Sequence, residues 1–176
     1  MTTPADFHVP KELPRQDVLL TAARQYPTLD ASALETFFAL VRLSADLQAA
    51  LQAHFSRYKI SSGRFVVLMT LEFGTLADDA GPCELADHIG VTRATMTGLL
   101  DGLERDGLIA RVDHPEDRRR MKVILTTAGK RYLDKILPDH FRRQSAVMAK
   151  LSAQERRQLI QLLQKVSQGL PALREL

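Results

Sequence analysis

The chain has 176 residues, of which 45% are hydrophobic, and it carries a net charge of +3 at neutral pH. This length and composition suffice for a core in one domain or in two joined subdomains, which excludes a largely disordered protein. The chain has no run of about 18 apolar residues and begins with Met1-Thr-Thr-Pro, which lacks a basic and apolar signal segment, so we expect a cytoplasmic protein without membrane insertion.

The first part of the chain is predicted to contain three helices. An amphipathic stretch from Gln16 to Tyr26 is the first of them. The capping-box pattern of Ser32 and Glu35 opens a long helix that is predicted to run through about Tyr58, and residues 62–73 form the third. The apolar sides consist of Val18, Leu19, Leu20 and Ala23 in the first helix, Leu34, Phe37, Phe38, Val41, Leu47, Leu51 and Phe55 in the second, and Phe65, Val66, Leu68, Met69 and Leu71, turned inward, in the third.

Two short helices joined by a tight turn are predicted in the middle of the chain. Leu85, Ala86 and Ile89 fall on one face of the first helix, and Gly90 can adopt the left-handed conformation that ends it. Thr92 can accept a backbone N–H as the N-cap of the second helix. The apolar positions of that second helix recur at three- and four-residue spacing and are Met96, Leu99, Leu100 and Leu103.

The other face of the second helix is polar near its N-terminus, where it carries Thr92, Arg93, Thr95 and Thr97. A helix that enters the major groove of DNA presents side chains from this end to the base edges. The two helices and their turn therefore have the spacing of a helix-turn-helix unit whose second helix reads DNA.

A hairpin with a charged tip is predicted to follow. Gly107 ends the second helix, and two short apolar runs, residues 108–112 and 121–125, flank His114-Pro-Glu-Asp-Arg-Arg-Arg120. Three consecutive arginines beside the recognition helix can neutralise phosphates, and one of them can enter a narrow minor groove. Asp117 lies two residues before Arg119 and can hold its guanidinium in one geometry.

Two further helices complete the chain. Thr126 or Thr127 can cap a helix that Pro138 is predicted to kink or break. Ser152-Ala-Gln-Glu155 is a second capping box, and the helix it opens is predicted to end at Gly169-Leu-Pro171. The apolar side of this last helix is Leu159, Ile160, Leu162, Leu163 and Val166.

Apolar stripes outside the helix-turn-helix unit predict a two-fold dimer in which the first and last helices of each subunit interlock; ordinary packing within one chain is the alternative. Two recognition helices related by symmetry would read half-sites about one helical turn apart. The predicted fold is mostly α with a small β-hairpin wing. Its parts are an N-terminal extension with an extra helix (1–29), a dimerisation helix (30–60), a winged helix-turn-helix DNA-binding domain (61–126) and C-terminal dimerisation helices (127–176).

The order of these motifs resembles that of the MarR family of bacterial winged-helix repressors, across roughly residues 32–170. The resemblance is carried by Glu84-Leu-Ala-Asp-His-Ile-Gly, by the run from Thr92 to Ile109, by the wing Asp113-His-Pro-Glu-Asp-Arg-Arg-Arg and by Val123-Ile-Leu-Thr-Thr-Ala-Gly129. It implies an obligate homodimer that binds a pseudo-palindromic operator.

The resemblance also implies roles for individual residues. Major-groove readers would be Thr92, Arg93, Ala94, Thr95 and Thr97. In the wing, Arg119 would be the minor-groove arginine, Asp117 its orienting partner, and Arg118 and Arg120 phosphate contacts.

Members of this family bind small anionic aromatic ligands in a cleft beside the dimer helices, which releases DNA. Candidate lining residues in this sequence are Phe37, Arg42, His54, Tyr58, Phe65 and Met69. Arg42 can pair with a ligand carboxylate. A small aromatic or anionic effector is therefore expected. The N-terminal extension is similar to that of the urate-responsive branch of the family, but this sequence contains no tryptophan, so urate is disfavoured as the ligand.

Other kinds of site are disfavoured. The sequence lacks the dinucleotide, phosphate-loop, zinc-protease and serine-hydrolase motifs, so no enzyme and no cofactor are expected. Its five histidines are scattered and Cys83 has no second cysteine, so no zinc site is expected. Cys83 is predicted to lie at the start of a helix and to pack near the turn, and a redox-sensing thiol is the alternative for this residue. For the whole protein, a winged-helix module that binds protein instead of DNA remains an alternative.

Overall fold

The computed structural model of the protein describes residues 16–74, 76, 80–113 and 120–173. These residues form seven α-helices, one two-stranded antiparallel sheet and a short 3-10 helix. The helices are α1 (Gln16–Gln25), α2 (Ala31–Ser56), α3 (Ser62–Phe73), α4 (Pro82–Ile89), α5 (Arg93–Arg105), α6 (Thr127–Val147) and α7 (Ala153–Gln168), the strands are β1 (Ile109–Asp113) and β2 (Met121–Leu125), and the 3-10 helix is Leu170–Leu173. The chain divides into two compact units, residues 1–65 and 66–176.

In the first unit, α2 begins two residues earlier than the predicted capping box implies. The N-cap is Asp30, whose carboxylate accepts the backbone N–H groups of Ser32 and Ala33 at 2.9 and 3.0 Å. The predicted capping box of Ser32 and Glu35 is therefore wrong. A charged carboxylate at the helix N-terminus also interacts favourably with the helix dipole, which gives Asp30 the advantage over a serine hydroxyl.

Aromatic side chains pack together at the C-terminal end of α2. The rings of Phe55 and Phe65 lie 4.3 Å apart, and both side chains are buried. Helix α1 packs against α2 and buries Leu19, whereas Val18 and Leu20, which the sequence places on the same apolar side, are exposed.

The core of the second unit is built from the inward faces of α3, α4, α5 and α6. Its fully buried large side chains are Val67, Leu68, Leu85, Met96, Leu100, Leu103, Leu133 and Ile136. Helix α3 has the predicted bounds, but its inward face is rotated. Val67 is fully buried and Val66 is 42% exposed, so the prediction that Val66 turns inward is wrong. In a short run of apolar residues, periodicity alone does not show which of two adjacent side chains is buried.

The two strands form the predicted hairpin. Their register pairs Ile109 with Leu125 and Asp113 with Met121. A third segment joins this sheet edge, because the N–H of Val123 donates to the carbonyl of Ala80 at 3.0 Å. The next residue, Gly81, has no room for a side chain, since a Cβ there would lie 2.6 Å from the carbonyl oxygen of Met121.

Helix α6 continues through Pro138, so the predicted break does not occur. Thr126 is its N-cap and accepts the N–H of Gly129 at 3.0 Å. A proline inside a helix costs about 3 kcal/mol. Burial of Ile136, Leu137 and His140 on both sides of the proline offsets this cost.

Helix α7 opens with the predicted capping box of Ser152 and Glu155 and buries no residue. Its large apolar side chains are all exposed in the single chain, and they are Leu159, Ile160, Leu162, Leu163 and Val166. Isolated exposed apolar side chains are ordinary, but these five on one helix form a contiguous apolar surface. In the part of the chain that the structure describes, no helix combines the length and the apolar character needed to cross a bilayer.

Candidate nucleic-acid interface

Helices α4 and α5 are joined by the tight turn that the sequence predicts. Gly90 follows α4 with a φ of 77°, in the left-handed region, and donates its N–H to the carbonyl of Ala86 at 2.9 Å. Thr92 then caps α5, and its side chain accepts the N–H of Thr95 at 3.2 Å. Ala86 is completely buried, which fits close approach of the two helices at this point.

Helix α5 has one buried and one exposed face. Met96, Leu100 and Leu103 are fully buried, as the spacing predicts. The five residues predicted to read DNA are all exposed and lie at the start of α5, and they are Thr92, Arg93, Ala94, Thr95 and Thr97. A polar helix N-terminus is thus presented to solvent on a rigid core.

The threonine hydroxyls of this face are already engaged within the protein. The hydroxyl oxygens of Thr92 and Thr95 are 2.9 Å apart, and the hydroxyl of Thr97 donates to the carbonyl of Arg93 at 2.9 Å. A hydroxyl has one proton and two lone pairs, so Thr97 keeps acceptor capacity and a methyl group for a partner. The guanidinium of Arg93 is exposed and carries five donors, which makes it the strongest hydrogen-bond donor of this face.

The wing tip, residues 114–119, lies outside the described residues, and with it the predicted contacts Asp117, Arg118 and Arg119. Arg120, the residue before β2, is described. Its Nη2 atom lies 2.6 Å from Oε1 of Glu84 in the first turn of α4. The other oxygen of Glu84, Oε2, accepts the N–H of Gly81 at 3.1 Å.

A second group of ion pairs joins β1 to α5. Arg111 lies 2.7 Å from Asp101 and 3.0 Å from Glu104. Oε1 of Glu104 also accepts the backbone N–H of Arg111 at 3.1 Å. Sequence reasoning assigned no role to Glu84, Asp101 or Glu104. The spacing of Asp101 and Glu104, three residues apart on one helix face, was the only local signal of this site.

These contacts keep Glu84 ionised. The pKa of Glu84 is lowered, most by the hydrogen bond from its own backbone N–H and further by the charge of Arg120 and the N–H of Gly81, against partial desolvation. Glu84 therefore remains a carboxylate at neutral pH, with one oxygen on the helix start and the other on Arg120.

The five predicted ligand-binding residues of the first unit do not form one group within a single chain. Phe37 is 40% exposed, and Arg42 pairs with Asp46 at 2.9 Å one helical turn away. His54 is buried against the ring of Tyr58, at a centroid distance of 5.5 Å, and Phe65 stacks on Phe55. Phe37 and His54 are separated by about 25 Å along α2, at 1.5 Å per residue. Met69 is half-buried on α3 in the second unit.

Elsewhere the second unit contains a cavity of about 350 Å³. It lies between the end of α3, β2 and the start of α6, with Glu72 and Lys130 3.4 Å apart at its wall. None of the six predicted ligand-binding residues lines it.

Cys83 is at the second position of α4 and is exposed. The prediction of a helix start is confirmed, and the prediction that Cys83 packs near the turn is wrong. The buried positions of α4 are Leu85 and Ala86, so a residue two positions before Leu85 points away from the core. Among the described residues, no three histidine, cysteine or acidic side chains cluster in a way that would hold a metal ion.

Comparison with known proteins agrees with this architecture. Residues 60–121, which contain α3, the helix-turn-helix unit and β1, and which end at the first residue of β2, match the MarR family. The chain is 37% identical over 165 residues to the HTH-type transcriptional repressor YetL of Bacillus subtilis, an alignment that covers 94% of this chain and 98% of YetL.

Solved structures share the fold. The Staphylococcus aureus MepR–DNA complex superposes with a TM-score of 0.67 at 22% identity, covering 76% of this chain and 94% of MepR. The PcaV regulator of Streptomyces coelicolor, in complex with its natural ligand, superposes with a TM-score of 0.61 at 24% identity, covering 72% of this chain and 90% of PcaV. The chain therefore belongs to the MarR family of winged-helix transcriptional regulators.

Proposed function

We propose that the protein is a ligand-responsive homodimeric repressor that binds a pseudo-palindromic operator. The observation that carries this proposal is the arrangement of α5, which buries Met96, Leu100 and Leu103 and presents the side chains of its first turns to solvent. A rigid helix with an exposed polar N-terminus can enter the major groove, and the adjacent hairpin can follow the backbone beside it.

Within this proposal, Arg93 contacts base edges and Thr92, Ala94, Thr95 and Thr97 shape the fit of α5 in the groove. Arg93 is the member of the set that can donate two hydrogen bonds to one guanine. Asp117, Arg118 and Arg119 act at the wing, where Arg119 enters the minor groove, Asp117 orients it and Arg118 meets phosphate.

The dimer is proposed from the apolar surface of α7. Leu159, Ile160, Leu162, Leu163 and Val166 are exposed in one chain, and a second copy is the partner that a symmetric operator requires. The exposed Val18 and Leu20 of α1 are proposed to enlarge the same interface. The crystallised MepR–DNA complex supports DNA as the partner of the dimer.

A small aromatic or anionic effector is proposed to release the DNA, supported by the ligand complex of PcaV. Because Phe37 and His54 lie about 25 Å apart along α2, one small molecule cannot touch both in the same chain. We therefore place the effector either beside Phe37 and Arg42 or beside His54, Tyr58 and Phe65, with the remaining wall supplied by the second copy.

Selection from a random duplex library tests the proposal. Purified protein should enrich an inverted repeat whose half-sites lie about one helical turn apart. Footprinting on the enriched duplex should protect both half-sites together. Enrichment of no sequence, or of a single half-site bound by one copy, would contradict the proposed symmetric repressor.

A further inference from the structure

Arg120 lies at the base of the wing, where the hairpin returns toward the helix-turn-helix unit. Its side chain is 45% exposed and that of Glu84 is 43% exposed, with 2.6 Å between Nη2 and Oε1. The two residues are 36 positions apart in sequence, so this contact joins two separate elements. It connects the residue before β2 to the first turn of α4.

Two backbone contacts join the same elements at the same place. The N–H of Val123 donates to the carbonyl of Ala80, and Gly81 lies against the carbonyl of Met121 so closely that no Cβ fits between them. Glu84 also accepts the N–H of Gly81. The start of α4 is therefore attached to β2 through the backbone, and the Glu84–Arg120 pair extends this attachment one residue toward the wing tip.

We infer that Arg120 is a positioning residue and not a phosphate contact: paired with Glu84, it fixes the departure of the wing from β2 so that the wing and α5 meet the duplex together. This inference rests on the proposed binding of operator DNA. Arg93 and the wing arginines Arg118 and Arg119 remain the proposed cations at the DNA surface.

Charge supports this assignment. Glu84 is a carboxylate at neutral pH, and its charge neutralises that of Arg120. A guanidinium neutralised in this way adds little net positive charge at the DNA surface, so Arg120 should contribute little to the salt dependence of binding. A wing held in its bound geometry before association loses less conformational entropy on docking.

Substitution of the Glu84 carboxylate tests this inference, because a positioning role and a purely electrostatic role predict opposite changes in DNA affinity. Glu84→Gln removes a negative charge near DNA, which by electrostatics alone should tighten binding. Its amide oxygen can still accept the N–H of Gly81, so the start of α4 is preserved. Loss of the ion pair should nevertheless weaken binding by about threefold per wing, or about tenfold for a dimer, the size expected for an exposed pair with good geometry.

Asp87→Asn is the matched control, since Asp87 is an exposed carboxylate on the same helix. It makes the same change in charge and leaves the Glu84–Arg120 pair intact. Binding to the duplex enriched by the wild-type protein should be measured by fluorescence anisotropy over a range of salt concentrations. Thermal unfolding of each variant should be recorded alongside to establish that it is folded.

The inference predicts that Glu84→Gln and Arg120→Gln both weaken binding, that the double variant loses less than the sum of the two losses, and that Arg120→Gln and the double variant keep the wild-type salt slope. Asp87→Asn should bind as the wild type or more tightly. The inference is overturned if Glu84→Gln tightens binding, or if Arg120→Gln alone lowers the salt slope by about one phosphate contact per wing. If the wild-type protein binds no duplex even at low salt, the proposed function fails together with this inference.

Discussion

Arg93 lies in the first turn of α5, where a single side chain can decide whether a helix recognises bases or only phosphates. It is exposed, and its backbone carbonyl accepts the hydroxyl of Thr97, which holds the first two turns in one conformation. A base contact of Arg93 would therefore change the difference in affinity between operator and random DNA, and the affinity for one duplex alone does not reveal it.

We predict that Arg93→Ala reduces discrimination between operator and random DNA by about 1 to 3 kcal/mol per subunit, the usual size of a lost base contact. Competition binding with both duplexes measures this difference. Arg105→Ala is the control, because Arg105 has the same charge at the opposite end of α5 and is exposed. An equal loss on both duplexes for Arg93→Ala would assign Arg93 to the phosphate backbone.

Glu84 makes stability depend on pH. Its pKa is lower in the folded protein than the ordinary value of 4.5, so its contribution is present above that value and is lost as the pH falls through the folded pKa. Because the pair is half exposed, we expect Glu84→Gln to lower the free energy of unfolding by less than about 1 kcal/mol at neutral pH. Urea unfolding at pH 7 and at a series of lower pH values should show a difference between wild type and variant that decreases as the pH falls below 4.5. A difference that does not change with pH would assign the effect to something other than ionisation.

The individual elements show where sequence reasoning works and where it stops. Strong apolar periodicity and local caps gave helices α3, α5 and α7 and the hairpin almost at their observed bounds, because these signals act over a few residues. Asp30 and Ser32 are both possible N-caps of α2, and a sequence pattern does not contain the difference in capping free energy that favours Asp30.

Contacts between residues that are far apart in the sequence could not be predicted from local patterns. The pairing of Glu84 with Arg120 depends on how β2 lies against the start of α4, which is set by tertiary packing. Continuation of α6 through Pro138 likewise depends on burial around the proline. The exposed polar face of α5 was predictable from local sequence, and the ionic contact between Arg120 and Glu84 was not.

The turn between α4 and α5 can be tested as an element. Gly90 has a φ of 77°, and a Cβ added there would meet no atom within 4 Å. Gly90→Ala should therefore destabilise the protein by about 1 to 2 kcal/mol through backbone strain alone. Gly90→Asn should cost less, because asparagine adopts the left-handed conformation more readily. Equal stability of the alanine variant and the wild type in urea unfolding would contradict this assignment.

At the scale of the whole molecule, assembly is tested at α7. Leu162→Asp places a charge in the exposed apolar surface and should raise the dimer dissociation constant at least about tenfold, since burying one leucine contributes about 1.5 to 3 kcal/mol. Gln161→Asp adds the same charge to the opposite face of α7 and should leave the dimer unchanged. Sedimentation velocity over a dilution series measures both. Equal effects of the two substitutions would remove α7 from the interface.

The central claim is that two copies of the protein bind duplex DNA through exposed cations. The most direct test is the affinity of the purified protein for the enriched duplex at increasing salt, with stoichiometry determined in the same titration. The predicted result is two copies per duplex and a steep linear fall of the logarithm of affinity with the logarithm of salt concentration, as release of counterions requires. Absence of binding at low ionic strength, or an affinity that does not change with salt, would contradict the account.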